Sequence, residues 1–225
     1  LMLNLFAPAT RLHGVFGDIT GCELSGPQDD ASAMQQRIFA GGRPVSNLLQ
    51  WKWAILQRVP AMTPEQMEDY FANQLLYGFW PGISTAGGGT EPGYAHMHRY
   101  MEDPALLERD RPLFQRYMPV FDALNKVGWQ PVTHARADGE GVLVERYGSG
   151  EDSLLAVYNA SGEAREVTLS LDAAWWKKAH GGAAPTALHS LLSGDVVPIE
   201  AAGDGLSCRV RIDARRTVVL GLRAG

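Results

Sequence analysis

The hydrophobic pattern of this 225-residue chain changes its period once, close to residue 130. Before that point, short apolar runs alternate with stretches of helical periodicity. From Gly141 onward the apolar residues form short runs separated by Gly- and Ser-containing turns, which is typical of antiparallel strands. We therefore predict an α/β segment over residues 1–129 and an all-β domain over residues 130–225, with the boundary between 129 and 141.

Four apolar runs in the first segment predict strands. They cover residues 1–6, 15–24, 45–49 and 79–84. Helical patterns lie between them, and strand–helix alternation is typical of a parallel sheet with helices on its outside.

Capping residues mark where the helices begin. Thr63-Pro64-Glu65-Gln66 combines a capping box with proline at the first helical position, so a helix is expected from here to Gly78. Upstream, Asp29 or Asp30 caps a helix whose buried face is expected to be Met34, Ile38 and Phe39.

Two further cap-and-proline pairs predict two separate helices near the end of the segment. The first begins at Asp103-Pro104 and the second at Asp110-Arg111-Pro112. The second helix is expected to end at Gly128 and to bury one face, which consists of Leu113, Tyr117, Phe121 and Leu124.

The second domain contains six apolar runs with turn signals between them. They cover residues 142–147, 154–158, 167–171, 196–199, 206–212 and 217–222. Six short strands at this spacing predict a small antiparallel β-sandwich. One helical turn is expected from Asp172 to Lys178; its Trp175 and Trp176 can form a buried plug, which we favour, or a sugar-stacking platform.

Composition excludes several classes of partner. The chain has 20 basic and 25 acidic residues and a net charge of −5, which argues against nucleic acid or an anionic membrane as the main partner. Cys22 and Cys208 form neither a disulfide scaffold nor a metal motif. His96 and His98 lack a nearby third ligand, so a solvated loop is favoured over a metal site. We expect neither a metal nor a cofactor.

Several motifs resemble one family of enzymes. Residues 155–161, followed by Glu166-Val167-Thr168-Leu169, resemble a hairpin in the C-terminal sandwich of α-galactosidase-like glycoside hydrolases. Residues 191–195 and 217–220 are similar to later strands of that sandwich. Residues 70–82 and 109–114 look like the last helix, last strand and final helix of the preceding (β/α) barrel.

This resemblance implies a partial (β/α) TIM-type barrel followed by an antiparallel β-sandwich. It also implies glycoside hydrolysis, with carbohydrate as the partner. A complete barrel needs about 250 residues, so further sequence is expected before residue 1. An open sheet of three or four strands leaves unpaired edges, and self-association is therefore expected.

Candidate site residues follow from the rule that barrel active sites lie at the carboxyl ends of the strands. The strand over residues 19–23 ends at Glu23. The next strand is followed by Gln50, Trp51 and Lys52, and the last one ends at Ser84. We predict that these last four residues bind substrate, although Trp51 is equally plausible as a packing residue.

Glycosidic hydrolysis needs two carboxyl groups, and Asp18 and Glu23 are the candidate pair. Residues five apart in a strand point to opposite faces, so a turn or salt-bridge role is favoured for Asp18. The resemblance implies that Glu23 matches the acid/base position and that the nucleophile lies outside the chain. A structural carboxylate remains an even alternative for Glu23. The competing hypothesis for the whole chain is a non-catalytic carbohydrate-binding or structural module.

Overall fold

A computed structural model describes residues 2–4, 19–24, 30–50, 63–84, 104–203 and 205–222. Residues 2–4, 19–24, 48–50 and 83–84 are described by their backbone only. The helices are α1 (Asp30–Ala40), α2 (Pro64–Tyr77), α3 (Pro104–Val127) and α4 (Ala173–Ala179). The strands are β1 (Met2–Asn4), β2 (Ile19–Leu24), β3 (Val45–Gln50), β4 (Trp80–Ser84), β5 (Trp129–Gln130), β6 (Ala135–Ala137), β7 (Val142–Tyr147), β8 (Leu154–Asn159), β9 (Arg165–Leu171), β10 (Ala187–Ser190), β11 (Val196–Pro198), β12 (Glu200–Ala202), β13 (Gly205–Ile212) and β14 (Thr217–Gly221).

The chain divides into two compact units. One consists of residues 1–74 and 79–118, and the other of residues 75–78 and 119–225. The first unit contains a sheet of order β1-β2-β3-β4, in which every pairing is parallel. The predicted parallel sheet is thus confirmed over these four strands. The outer parts of the two predicted strands 1–6 and 15–24 lie outside the described residues.

Helix α2 begins where its capping box predicts. The Thr63 backbone N–H donates to Gln66 Oε1 at 2.9 Å, and the Gln66 backbone N–H donates to Thr63 Oγ1 at 3.2 Å. These reciprocal bonds satisfy two amide groups that the first turn leaves without intrahelical partners. At the other end Gly78 adopts a φ of +65°, which an L side chain rarely adopts.

The predicted buried face of α1 is wrong. Ile38 is 61% exposed and Met34 38% exposed. The helix instead buries a face of small and polar residues, which are Ala33, Gln36, Arg37 and Ala40. Alanines allow close approach of the helix, and the Arg37 guanidinium lies 5.8 Å from the centre of the Phe79 ring. Close packing and a cation–π contact therefore decide which face is buried.

The two predicted helices at residues 103–127 are a single 24-residue helix, α3. Asp110 does not cap a new helix, because its buried carboxylate accepts two hydrogen bonds from the Arg109 guanidinium, each at 2.8 Å. Pro112 lies inside the helix and is exposed. Proline removes one backbone hydrogen bond, and the buried side chains of Tyr117, Phe121 and Leu124 provide the packing that keeps the helix continuous.

The second unit contains two antiparallel sheets. One has six strands in the order β11-β10-β14-β8-β7-β5, and the other has four in the order β12-β13-β9-β6. Residues from both sheets form a single apolar core, which confirms the predicted sandwich. All six predicted strands are present within two residues of the expected bounds. The strands that the sequence missed, β5, β6, β10 and β12, have two to four residues each, too few for a period to be recognised.

The two tryptophans of α4 have different environments. Trp176 is fully buried in the sandwich core, as the plug interpretation expects, and its Nε1–H donates to the carbonyl of His134 at 2.8 Å. The Trp175 ring stacks on the His134 ring at 4.7 Å between centres, and the Arg146 guanidinium lies 4.4 Å from its centre. Neighbouring side chains of the protein therefore already contact the ring of Trp175.

Asn159 closes the hairpin between β8 and β9 from inside the sandwich. Its buried Nδ2 donates to the carbonyl of Glu163 at 2.7 Å, and the carbonyls of Ile212 and Asp213 lie 3.2 Å away. Its Oδ1 accepts from both the backbone N–H and the hydroxyl of Ser161. One side chain thus connects the turn to the end of β13.

We predict that Asn159→Ala destabilises the sandwich by about 3 kcal/mol, because it leaves several buried polar groups without partners. Urea denaturation followed by circular dichroism measures the loss. Glu163→Ala is the matched control, since it keeps the backbone carbonyl that Asn159 contacts, and it should change the free energy of unfolding by less than about 0.5 kcal/mol. Equal stability of the Asn159→Ala protein and the wild type would contradict the prediction.

Candidate functional site

The carboxyl edge of the parallel sheet brings together the ends of β2, β3 and β4. In the register, Leu24 pairs with Leu49 and Leu49 pairs with Ile83, while Gln50 pairs with Ser84. Glu23 is the residue before the last one of β2 and lies two rows below Gln50 and Ser84.

The row of Glu23 also contains Leu48 and Gly82, which are its register partners in β3 and β4. The backbone positions of Glu23, Gln50 and Ser84 are therefore close to one another at one edge. Asp18, Trp51 and Lys52 lie outside the described residues, as do His96 and His98. The catalytic and substrate-binding roles of these residues stay predictions.

Buried polar side chains of β3 and α2 form a hydrogen-bonded network on one face of this sheet. Asn47 Nδ2 donates to Gln74 Oε1 of α2 at 2.8 Å, and Gln74 Nε2 donates to Asn73 Oδ1 at 3.0 Å. Asn47 and Gln74 are fully buried, and Asn73 is 3% exposed. Amides buried in this way need such partners, because an unpaired one costs about 1–3 kcal/mol.

The hydroxyl of Tyr70 joins α2 to two strands at once. It lies 2.8 Å from the carbonyl oxygen of Asn47 and 3.2 Å from that of Gly82. The tyrosine is 3% exposed, and its single hydroxyl hydrogen is directed at two backbone acceptors in neighbouring strands. These bonds fix the height of α2 along β3 and β4.

The network identifies the face of the sheet that α2 covers. Asn47 shares its row with Cys22 of β2 and Pro81 of β4. Successive positions in a strand belong to opposite faces, so the next row, which includes Glu23, belongs to the face away from Asn47. A barrel enzyme carries its chemistry at the carboxyl ends of its strands.

This network was not predicted from the sequence, although the sequence contains an indication of it. Asn47 is a polar residue within an apolar strand, and Gln74 lies on an otherwise apolar helix face. A polar residue at each of two buried positions indicates that the two pair with each other.

The described ranges contain no group of three or more His, Cys, Asp or Glu side chains placed to hold a metal ion. No helix within them is long and apolar enough to cross a membrane. The thiol of Cys208 is buried in the sandwich, and burial raises its pKa to about 11, so it is not a reactive nucleophile at neutral pH.

No protein-family model matches the chain, and a search of curated proteins found no match. Solved structures do share its fold. An α-amylase from Anoxybacillus has a TM-score of 0.53 at 13% identity, over 100% of this chain and 53% of that one. The α-amylase from H. orenii has a TM-score of 0.50 at 11% identity, over 98% of this chain and 53% of that one. AmyP, solved in complex with maltose, has a TM-score of 0.51 at 15% identity, over 87% and 44%.

These likenesses concern the fold. The arrangement of helices, parallel strands and sandwich is related to that of glycoside hydrolases, and identities of 11–15% extend the relation no further. The chain spans about half the length of the solved structures that it matches.

We predict that Tyr70→Phe lowers the free energy of unfolding by about 1–3 kcal/mol, because two buried carbonyl groups lose their shared donor. Urea denaturation monitored by tryptophan fluorescence provides the measurement. Glu65→Gln, at an exposed position in the first turn of the same helix, is the control and should change the value by less than about 0.5 kcal/mol. If both variants unfold at the same urea concentration as the wild type, the hydroxyl is not holding α2 in place.

Proposed function

We propose that this chain forms the last strands of a (β/α)-barrel glycoside hydrolase together with its C-terminal β-sandwich. The observation that carries the proposal is the register of β2, β3 and β4, in which Gln50 and Ser84 share the last row and Glu23 lies two rows below them. The order of elements, parallel βα units followed by an antiparallel sandwich, supports it. The fold shared with two α-amylases and with AmyP supports it further.

The substrate that we propose is a carbohydrate. AmyP was solved in complex with maltose, and its fold resembles that of this chain with a TM-score of 0.51 over 87% of this chain. The resemblance of the hairpin at residues 155–161 is to α-galactosidase-like enzymes, so the proposal includes glycosides beyond those of glucose.

Glu23 is proposed as the general acid. Proton donation to the leaving oxygen requires a carboxyl group beside the bound sugar, and barrel active sites lie at the carboxyl ends of the strands. The register supports this role, because Glu23 is the residue before the last one of β2 and lies two rows below Gln50 and Ser84. The reaction also needs a second carboxylate as nucleophile or base. In this proposal the second carboxylate comes from a strand beyond β1–β4, and Asp18 becomes the next candidate for the general acid only if Glu23 fails its test.

The neighbouring candidates have roles suited to their chemistry. The amide of Gln50 and the hydroxyl of Ser84 both donate and accept hydrogen bonds, which matches the hydroxyl groups of a sugar. Trp51 offers an aromatic face to the C–H groups of a pyranose, and Lys52 offers a donor to ring hydroxyls. These four residues are therefore proposed to orient the substrate while Glu23 transfers the proton.

We predict that Glu23→Gln, introduced in the complete enzyme, lowers kcat on an unactivated glycoside by about 10²–10⁴-fold. A substrate with a leaving group that needs no proton, such as a dinitrophenyl glycoside, should lose much less. Steady-state kinetics on the two substrates separates loss of the acid from loss of the fold, because unfolding lowers both rates equally.

Asp18→Asn is the control and should act mainly through stability. Unchanged turnover of Glu23→Gln on the unactivated glycoside would remove Glu23 from the mechanism. Sugar binding without hydrolysis by the complete protein would support the alternative of a non-catalytic carbohydrate-binding module.

We also propose that residues 130–225 form a domain that folds alone, with the boundary after residue 129. Its core of buried residues from both sheets is contained within this range. Two contacts at the boundary reach upstream: the Gly148 N–H donates to the Gly128 carbonyl at 2.7 Å, and β5 pairs Trp129 with Tyr147.

We predict that the expressed piece 130–225 unfolds cooperatively and that the longer piece 119–225 is more stable by about 1–2 kcal/mol, since it keeps these two contacts. Urea denaturation of the two pieces compares them directly. A non-cooperative transition of the piece 130–225 would place the boundary upstream of residue 129.

A further inference from the structure

A shallow depression lies at one corner of the four-stranded sheet of the sandwich, where β6 pairs with β9. Its volume is about 370 Å³. The residues that line it come from the two strands, the loop before β6 and the N-cap of α4, and they are Thr133, His134, Ala135, Arg136, Ser170, Leu171 and Asp172. The depression belongs to the second unit.

The strand register places Arg136 and Ser170 of this corner on one face, because the two residues pair with each other. Leu171, which follows Ser170, is buried in the core, so alternation directs Arg136 and Ser170 to the solvent side. Two positions along from this pair, just outside the strands, the Asp172 N–H donates to the carbonyl of His134 at 3.0 Å. Arg136, Ser170 and Asp172 are exposed.

His134 is held rigidly at this corner. Its φ of +50° is unusual for a residue other than glycine and persists only where the surroundings determine it. Its carbonyl accepts from the Asp172 and Trp176 N–H groups, and its ring stacks on Trp175. Its Nδ1 lies 3.0 Å from Asp172 Oδ2, so the proton is on Nδ1 and Nε2 remains an acceptor in the neutral ring.

Asp172 is an ionised acceptor in this arrangement. Its Oδ1 accepts from the Trp175 backbone N–H at 3.1 Å. This bond, and then the bond from His134, hold the pKa of the Asp172 carboxyl below its usual range. Within the described ranges, neither the Arg136 guanidinium nor the Ser170 hydroxyl has a side-chain partner, and both residues are exposed.

We propose that Arg136, Ser170 and the His134–Asp172 pair bind a neutral polyhydroxylated ligand, the chemical class to which sugars belong. Arg136 only donates hydrogen bonds, Asp172 only accepts, and Ser170 does both. A sugar hydroxyl also does both, so vicinal hydroxyls match this mixed set. An anion would approach the Asp172 carboxylate, and a metal cation would approach the Arg136 guanidinium; both contacts are repulsive.

This site is independent of the proposed catalytic function, because it uses no residue of the parallel sheet. Its affinity is expected to be weak. The site is open, and the Trp175 ring that could stack on a sugar is already stacked on His134. Binding therefore depends on hydrogen bonds at the surface.

The test is a titration of the full-length ¹⁵N-labelled chain followed by amide chemical shifts. Maltotetraose, cellotetraose and xylotetraose are added separately, and inorganic phosphate is the anionic probe. We expect at least one tetrasaccharide to shift the amides of residues 134–136 and 170–172. The double variant R136A/S170A should weaken that binding by about tenfold or more.

Arg209→Ala is the matched control. Arg209 is exposed in the same sheet, pairs with Thr168 and does not line the depression, so its variant should bind like the wild type. Thermal unfolding of all variants verifies that they are folded. The proposal is overturned if no tetrasaccharide shifts these amides, if phosphate alone does so, or if R136A/S170A binds as tightly as Arg209→Ala.

Discussion

Helix α2 is held on the parallel sheet by hydrogen bonds between buried groups as well as by apolar contact. The Tyr70 hydroxyl lies between two strand carbonyls, and Gln74 accepts from Asn47. Apolar packing alone lets a helix slide along a sheet at small cost, whereas buried polar groups have partners at one position only. These bonds therefore determine that α2 covers the face of the sheet to which Asn47 belongs. The row of Glu23, which is next to that of Asn47, belongs to the opposite face.

The same principle organises the sandwich. Its core is apolar, but the connections around it are held by single polar groups, a side-chain amide in one place and a backbone carbonyl in another, that contact several elements. Asn159 connects the hairpin to the end of β13, and the carbonyl of His134 connects the loop before β6 to Trp176. Because each of these groups is buried or half-buried, the cost of leaving it unpaired makes the local geometry specific.

The fold shared with glycoside hydrolases and the register at the carboxyl edge of the parallel sheet are two separate observations. Neither of them by itself establishes an activity. A fold of this kind hosts many activities, and function depends on the site that it carries. The register shows that the backbone positions of Glu23, Gln50 and Ser84 lie within two rows of one another near one edge of the sheet, and their roles in catalysis and binding stay a proposal. The polar corner of the sandwich, formed by His134, Arg136, Ser170 and Asp172, includes none of these residues and combines hydrogen-bond donors with acceptors.

Local signals in the sequence determined where several helices and strands of this protein begin and end. The capping box at Thr63, the helix end at Gly128 and the six longer strands of the sandwich follow from side-chain chemistry and period within a few residues. The strand ends that define the candidate site could be predicted for the same reason. Such features are local, so neighbouring residues suffice to specify them.

Only the tertiary structure decided which helix faces are buried and which apparent helix starts are real ones. The sequence indicated Met34 and Ile38 as the buried face of α1, whereas Ala33 and Ala40 are buried because small residues permit closer packing. Asp110-Arg111-Pro112 has the form of a helix start but lies inside α3, where a buried ion pair and packed aromatic residues outweigh one missing hydrogen bond. The pairing of Asn47 with Gln74 and of His134 with Asp172 joins residues 27 and 38 positions apart. No local pattern contains that information, because it arises only when distant segments are packed together.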